Sequence, residues 1–277
     1  MDSLVSTEWL AAHLGESDLA IVDSSWFMHG TGRDGAAEFR DAHIPGARFL
    51  DIDAVSDRSA SSPHMLPSAA DFASAMDRLG IGSDDRIVVY DNSPLRSAAR
   101  GWFTFRHFGA MRVAILDGGF QKWTAEGRAT ESDEPAPRSA HWTAEPRCND
   151  VVDKAGLLAY DAPQVLDARG KGRFEGIEAE PRPGLESGHI PGARNLPHAA
   201  LYNEDGTFRP VADLRRLFDE AGISPEHPFA ASCGTGVTAN SLIFAAHLIG
   251  NDATRLYDGS WAEWGADPAA PKAVGPA

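Results

Sequence analysis

His43-Ile44-Pro45-Gly46-Ala47-Arg48 recurs letter for letter as His189-Ile190-Pro191-Gly192-Ala193-Arg194, 146 positions later. Other pairs fall into step around it. Ile21-Val22-Asp23 matches Val165-Leu166-Asp167, and Asp117-Gly118-Gly119 through Trp123 matches Asp258-Gly259-Ser260 through Trp264. A helix predicted over 69–79 and stopped by Gly80 has its counterpart over 214–221, stopped by Gly222. Offsets this consistent mean a duplicated domain.

Within each copy, strands alternate with helices. The first copy reads as a helix over 4–14, capped by Ser6 or Thr7, then strands over 19–23, 86–90 and 113–116 with helices between and after them. That alternation predicts an α/β fold of two tandem domains, each a mainly parallel sheet flanked by helices. The expected boundaries are 1–130 for the first domain, 131–150 for a linker and 151–277 for the second. Pro135, Pro137 and Pro146 give the join the composition of an extended surface segment. The Pro- and Ala-rich tail, 267–277, reads as loose.

The chain has 277 residues, enough for two cores, and a net charge of −15. The first 140 residues carry 13 basic and 21 acidic groups and the rest 12 and 19, so the acidity is evenly spread. Such a field disfavours nucleic acid and anionic membranes as partners, and an anionic substrate would need a local basic pocket. Two cysteines, Cys148 and Cys233, make no disulfide framework and suit a reducing compartment. With no secretory or transit pattern at the N-terminus and no apolar run long enough to span a bilayer, the expected location is the cytoplasm.

The chemistry points to Ala230-Ala231-Ser232-Cys233-Gly234-Thr235-Gly236-Val237-Thr238-Ala239. An apolar run ending a buried strand is followed by a thiol, a Gly-x-Gly turn and a long apolar helix. A loop between strand and helix gathers backbone N–H groups, which favour an anion and therefore a thiolate. Gly234 and Gly236 leave room for a ligand against the backbone. The duplicated copy has Asp91-Asn92-Ser93-Pro94 at this place, so only one domain carries the nucleophile. Local cysteine-protease signatures are absent. A cysteine phosphatase needs an arginine at the sixth position after the cysteine, where this chain has Ala239, so phosphoryl transfer is disfavoured. No Cys-x-x-Cys spacing suggests a metal. A thiolate in a narrow, uncharged anion-binding loop suits attack on a soft centre such as sulfur.

These segments resemble the two-domain rhodanese superfamily and, within it, the 3-mercaptopyruvate sulfurtransferases. The similarity runs from about Leu4 to Trp264 through the paired HIPGAR segments, the DGG and DGSW turns and the loop CGTGVTA. Thiosulfate-using members typically carry Arg and Lys directly after the cysteine, whereas mercaptopyruvate-using members carry Gly, then Ser or Thr, then Gly. Gly234 and Thr235 follow the second form, and a monoanionic donor needs no extra cations beside the nucleophile.

The resemblance implies rhodanese-like domains, no cofactor and no metal. It makes Cys233 the sulfur carrier, with Thr235, Asp53 and His64 as a catalytic relay, from the segments Asp51-Ile52-Asp53 and Pro63-His64-Met65-Leu66-Pro67. It places Arg173 and Arg182, within Gly172–Arg182, on the donor's carboxylate and keto oxygen, and Gly234, Gly236, Val237 and Thr238 around the sulfur. The donor would be 3-mercaptopyruvate, and the acceptor a thiol such as thioredoxin or a small thiol. Two alternatives stay open: a thiosulfate:cyanide sulfurtransferase, and a non-catalytic persulfide carrier or sensor. His43, His189, Asp23 and Asp167 occur in both copies and read as structural. Ser232 and Thr238 read as satisfying backbone groups of the loop.

Overall fold

The computed structural model describes residues 1–132, 135–136, 138–159, 163–224 and 226–277; Pro137 of the join lies outside them. The chain divides into two compact units. Unit 1 holds Met1–Ser56, Leu66–Arg147 and Asn203–Phe208, and unit 2 holds Asp57–Met65, Cys148–Tyr202 and Arg209–Ala277. Each half therefore lends one loop to the unit built by the other half. The lent loops begin at Asp57 and Asn203, the same 146-residue offset as the hexapeptide.

Unit 1 contains β1 (Leu4–Val5), α1 (Thr7–His13), β2 (Leu19–Asp23), α2 (Gly35–Asp41), β3 (Arg48–Phe49), α3 (Ala69–Leu79), β4 (Arg86–Tyr90), α4 (Ala98–His107), β5 (Val113–Leu116) and α5 (Gly119–Ala125). Unit 2 contains β6 (Val151–Val152), α6 (Lys154–Leu158), β7 (Val165–Asp167), α7 (Lys171–Phe174), β8 (Arg194–Asn195), a 3-10 turn His198–Leu201, α8 (Val211–Glu220), β9 (Ala230–Ser232), α9 (Ala239–Leu248), β10 (Arg255–Tyr257) and α10 (Ser260–Trp264). Strand order is β1-β5-β4-β2-β3 in one sheet and β6-β10-β9-β7-β8 in the other, and every pairing is parallel. The two sheets are the same topology written twice.

The strand sequences explain the layering. Side chains alternate across a strand, so Ile21, Val88, Tyr90, Ala114 and Leu116 share one face of the first sheet. They pack with Leu10 of α1, Phe39 of α2 and Phe120 and Trp123 of α5. On the opposite face, α4 lies so close that a Cβ at Gly101 would come within 2.8 Å of Val89 Cγ1. Both faces are covered, which is why these strands are nearly continuous in apolar residues. In unit 2, Ala230, Tyr257, Trp261 and Trp264 form the equivalent core with Phe174 and Ile190. No helix among the described residues is long and apolar enough to cross a membrane.

Three sequence expectations change. Leu4 and Val5 are not helical; they form β1 beside Ile115 and Leu116, and the helix starts at Thr7 behind the Ser6 cap, whose side chain accepts from Trp9 N–H at 3.1 Å. The tail is docked rather than loose: Ala273 bridges His189, Trp264 Nε1 donates to Pro271 O at 2.7 Å, and Lys272 Nζ donates to Asp267 O at 2.7 Å. The segment read as a linker carries Trp142, which is buried against Phe72 and Phe105 of unit 1, and Arg138, which forks onto Asp85 at 2.6 and 2.9 Å.

Candidate active site

β7 and β9 run in register, with Asp167 opposite Ser232, and both end at the same edge of their sheet. Cys233 is the first residue beyond β9. Its thiol is buried, and the loop 233–238 leads directly into α9, whose first eight residues are all buried. In an open parallel sheet this carboxyl edge is where ligands sit.

Four residues outside the loop shape it. Cys233 N–H donates to Ser260 Oγ at 3.1 Å, and Ser260 Oγ lies 4.0 Å from the Cys233 sulfur. Trp261 N–H donates to Cys233 O at 3.0 Å, and Ala262 N–H to Gly234 O at 2.9 Å, so the start of α10 holds the loop's first two carbonyls. Asn240 Nδ2 holds the Gly236 and Val237 carbonyls at 2.6 and 3.0 Å. Gly236 takes a φ of 76°, a left-handed conformation suited to glycine. With its carbonyls tied back, the loop leaves the N–H groups of Gly234, Thr235, Val237 and Thr238 without a hydrogen-bond acceptor among the described residues. Unpaired N–H groups flanking a buried thiol form a nest for a thiolate or a persulfide.

His64 arrives from the lent loop of unit 2. Its Nδ1 is 2.8 Å from Thr235 Oγ1, and both side chains are buried. The histidine backbone has a φ of 62°, uncommon for a residue with a Cβ and a mark of strain held by its surroundings.

Arg173, in α7, reaches the same loop. A Cβ at Gly234 would lie 3.1 Å from Arg173 Nη2, so the glycine is what admits the guanidinium. Arg173 is held in turn by Glu180, from Nε at 3.2 Å and Nη2 at 2.5 Å. Glu180 also accepts from Arg169 Nη1 at 2.7 Å, and Arg169 forks onto Asp167 at 2.7–3.1 Å. Arg169 further donates to Gly188 O and lies over the Trp261 ring at 4.5 Å. Burial pulls its proton affinity down, but Asp167 and Glu180 outweigh that and hold it above its ordinary value. Arg182 is half-buried and has no hydrogen-bond or ion-pair partner among the described residues.

Comparison with known proteins gives the family. The model of the rhodanese-like domain matches residues 6–126 and 153–267. The chain belongs to the rhodanese family. It is 39% identical over 277 residues to the 3-mercaptopyruvate sulfurtransferase of Homo sapiens, covering 95% of this chain and 91% of that protein. It is 37% identical over 278 residues to the thiosulfate sulfurtransferase of Gallus gallus, covering 95% and 91%. The crystal structure of SseA from Escherichia coli, described among 3-mercaptopyruvate sulfotransferases, superposes with a TM-score of 0.86 at 35% identity, covering 94% of this chain and 99% of that one.

Of the rhodanese-site residues expected from sequence, unit 2 gathers Cys233, Gly234, Thr235, Gly236, Val237, Thr238, His64 and Arg173. Asp53 belongs to unit 1, where it accepts from Trp26 Nε1 at 3.0 and 3.1 Å. Ser232 does not satisfy the loop as expected; its hydroxyl is buried with no partner among the described residues. Thr238 makes no side-chain cap to α9. Three contributors were missed: Ser260, Asn240 and the Arg169–Glu180 pair. Ser260 was findable, because it stands where the first copy has Gly119 and keeps that glycine's left-handed backbone, φ 48° against 59°.

Proposed function

We propose that this chain is a sulfurtransferase that takes sulfur from 3-mercaptopyruvate onto Cys233 and passes it to a thiol acceptor, releasing pyruvate. The supporting observation is the loop itself: a buried thiol among four N–H groups unpartnered among the described residues, with Gly234 and Thr235 where further cations could have stood and Arg173 beside Gly234.

The donor's carboxylate and keto oxygen are assigned to Arg173 and Arg182, since guanidinium groups pair such oxygens with directed hydrogen bonds. The Cys233 thiolate attacks the donor's sulfur. The carbon–sulfur bond breaks, and its electron pair goes to the methylene carbon as the enolate of pyruvate. A proton delivered to that carbon completes pyruvate. His64 and Thr235, in hydrogen-bond contact, are assigned to that proton's movement, with Asp53 added on the family resemblance. Cys233 is left as a persulfide, which the loop N–H groups stabilise. A second thiolate then attacks the outer sulfur and restores the Cys233 thiolate. Thioredoxin or a small thiol is the acceptor class, and the cytoplasm is the setting consistent with two free cysteines.

Kinetics decide the donor. The expected result is a kcat/KM for 3-mercaptopyruvate well above that for thiosulfate, with ping-pong kinetics and a gain of one sulfur mass on Cys233. A preference for thiosulfate would move the chain towards the activity named for its Gallus gallus relative. A persulfide without continued pyruvate release would make it a sulfur carrier.

A further inference from the structure

The Arg173 side chain does not meet a donor as an isolated cation. Glu180 is buried to all but 2% of its side chain, and its carboxylate is shared between two guanidinium groups, Arg169 and Arg173. Asp167, Arg169, Glu180 and Arg173 form a continuous chain of alternating sign, and their formal charges cancel. Glu180 occupies the Nε–Nη2 edge of Arg173. Only the Nη1–Nη2 end, on a side chain still 24% exposed, remains for a ligand. Arg182 is then the one cation of the pair whose charge no described residue answers.

We propose that Glu180 is the specificity-determining residue of this site, fixing the edge that Arg173 offers and cancelling its charge so that the site favours a donor with one negative charge over one with two. The proposal rests on the reading of Arg173 and Arg182 as donor-binding groups. Its physical basis is twofold. A guanidinium held by a bidentate carboxylate is pre-organised and loses little freedom on binding. An extra unit of positive charge in a poorly solvated site favours a dianion over a monoanion. Glu180 touches no reacting atom; it acts through Arg173.

The test compares kcat/KM for 3-mercaptopyruvate and for thiosulfate in wild type, Glu180→Gln and Glu180→Asp. Glu180→Gln keeps the shape and removes the charge, and should raise the thiosulfate to 3-mercaptopyruvate ratio about tenfold. Glu180→Asp keeps the charge but withdraws it by one methylene. It should leave the ratio near wild type while KM for 3-mercaptopyruvate rises several-fold and kcat stays close to normal. A merely structural role lowers activity towards both donors by the same factor, and that result for Glu180→Gln overturns the proposal. Glu180→Gln leaves two buried guanidinium groups short of a partner, so it can fail to fold. In that case Glu180→Asp decides alone: an unchanged KM overturns the proposal and the KM rise supports it. If the wild-type protein forms no Cys233 persulfide from either donor, the underlying sulfurtransferase reading falls instead, which separates the two failures.

Discussion

The loops after β4 and β9 occupy the same place in the same sheet topology and solve the same backbone problem in opposite ways. After β9, the N–H groups of Gly234, Thr235, Val237 and Thr238 are left for a ligand. After β4, the chain answers them itself. Asp91 accepts from Ser93 N–H and Ala98 N–H at 2.8 and 2.7 Å, Ser93 Oγ accepts from Leu95 N–H at 3.1 Å, and Ser25 Oγ accepts from Asn92 N–H at 2.8 Å. The carboxylate of Asp91 is a built-in anion where unit 2 carries a thiol. The flanking contact is shared: Phe120 N–H holds Asp91 O at 2.9 Å, as Trp261 N–H holds Cys233 O at 3.0 Å. The difference teaches that the scaffold makes an anion site in both copies, and that side chains decide whether it is filled or open.

The strand ends diverge in the same way. Asp167 is answered by Arg169, whereas Asp23 has Ser25 at the matching position, with Ser25 N–H donating to Asp23 Oδ1 at 2.8 Å. Burial pushes the Asp23 carboxyl up to about 7, against the lowering effect of Ser25, and burial likewise raises Asp91.

The strongest way to break this comparison is to exchange roles. Cys233→Ser should lower sulfur transfer by about 10³-fold or more, because a serine hydroxyl is not ionised at neutral pH; measurable turnover near wild type sinks the nucleophile assignment. Asp91→Ala should do the reverse. It strands two buried N–H groups at a cost of about 2–6 kcal/mol, read as a lower midpoint in urea, while kcat/KM of the folded protein stays within a few-fold. A variant as stable as wild type would show that Asp91 does not fill the nest. Gly234→Asn, which places the unit 1 residue in the unit 2 loop, sets a Cβ 3.1 Å from Arg173 Nη2. KM for the donor should rise about tenfold as the guanidinium is displaced, and an unchanged KM removes Arg173 from the binding site.

The smallest effect concerns pH. The Asp23 carboxyl sits at about 7 in the folded chain and near 3.9 when unfolded, so the native state holds its proton more tightly. Its stabilising contribution is complete below about pH 4 and is lost as pH rises through about 7. Asp23→Asn should therefore flatten the melting temperature between those limits relative to wild type; parallel curves count against the buried carboxyl.

Much of the fold is legible because it rests on local pattern. Ser68 and Gly80 bracket α3 over the residues that periodicity marks, and Gly80 closes it with a φ of 67°. Cys233 is legible because strand, thiol and Gly-x-Gly are contiguous. The lent loops are not legible in local pattern, and the pairing of His64 with Thr235, 171 residues away, comes only from the family resemblance. The Arg169–Glu180 pair is hidden for another reason. Charged residues are ordinarily read as solvated, and only burial among Asp167, Arg173 and Trp261 turns them into one network. The tail misled through its composition: Pro and Ala carry little pattern, yet Trp264 and His189 provide backbone and indole partners that dock it.

The long reach from His64 to Thr235 sets a clock on the newborn protein. At about 5–20 residues per second, the ribosome completes Thr235 roughly ten to thirty seconds after His64. Through that interval the histidine loop has none of its unit 2 partners from β9 onward to settle against. A chain stopped anywhere before β9 lacks both the Cys233 thiol and the Thr235 hydroxyl that His64 meets, so sulfur chemistry on Cys233 cannot begin until the last fifth of the polypeptide is being made.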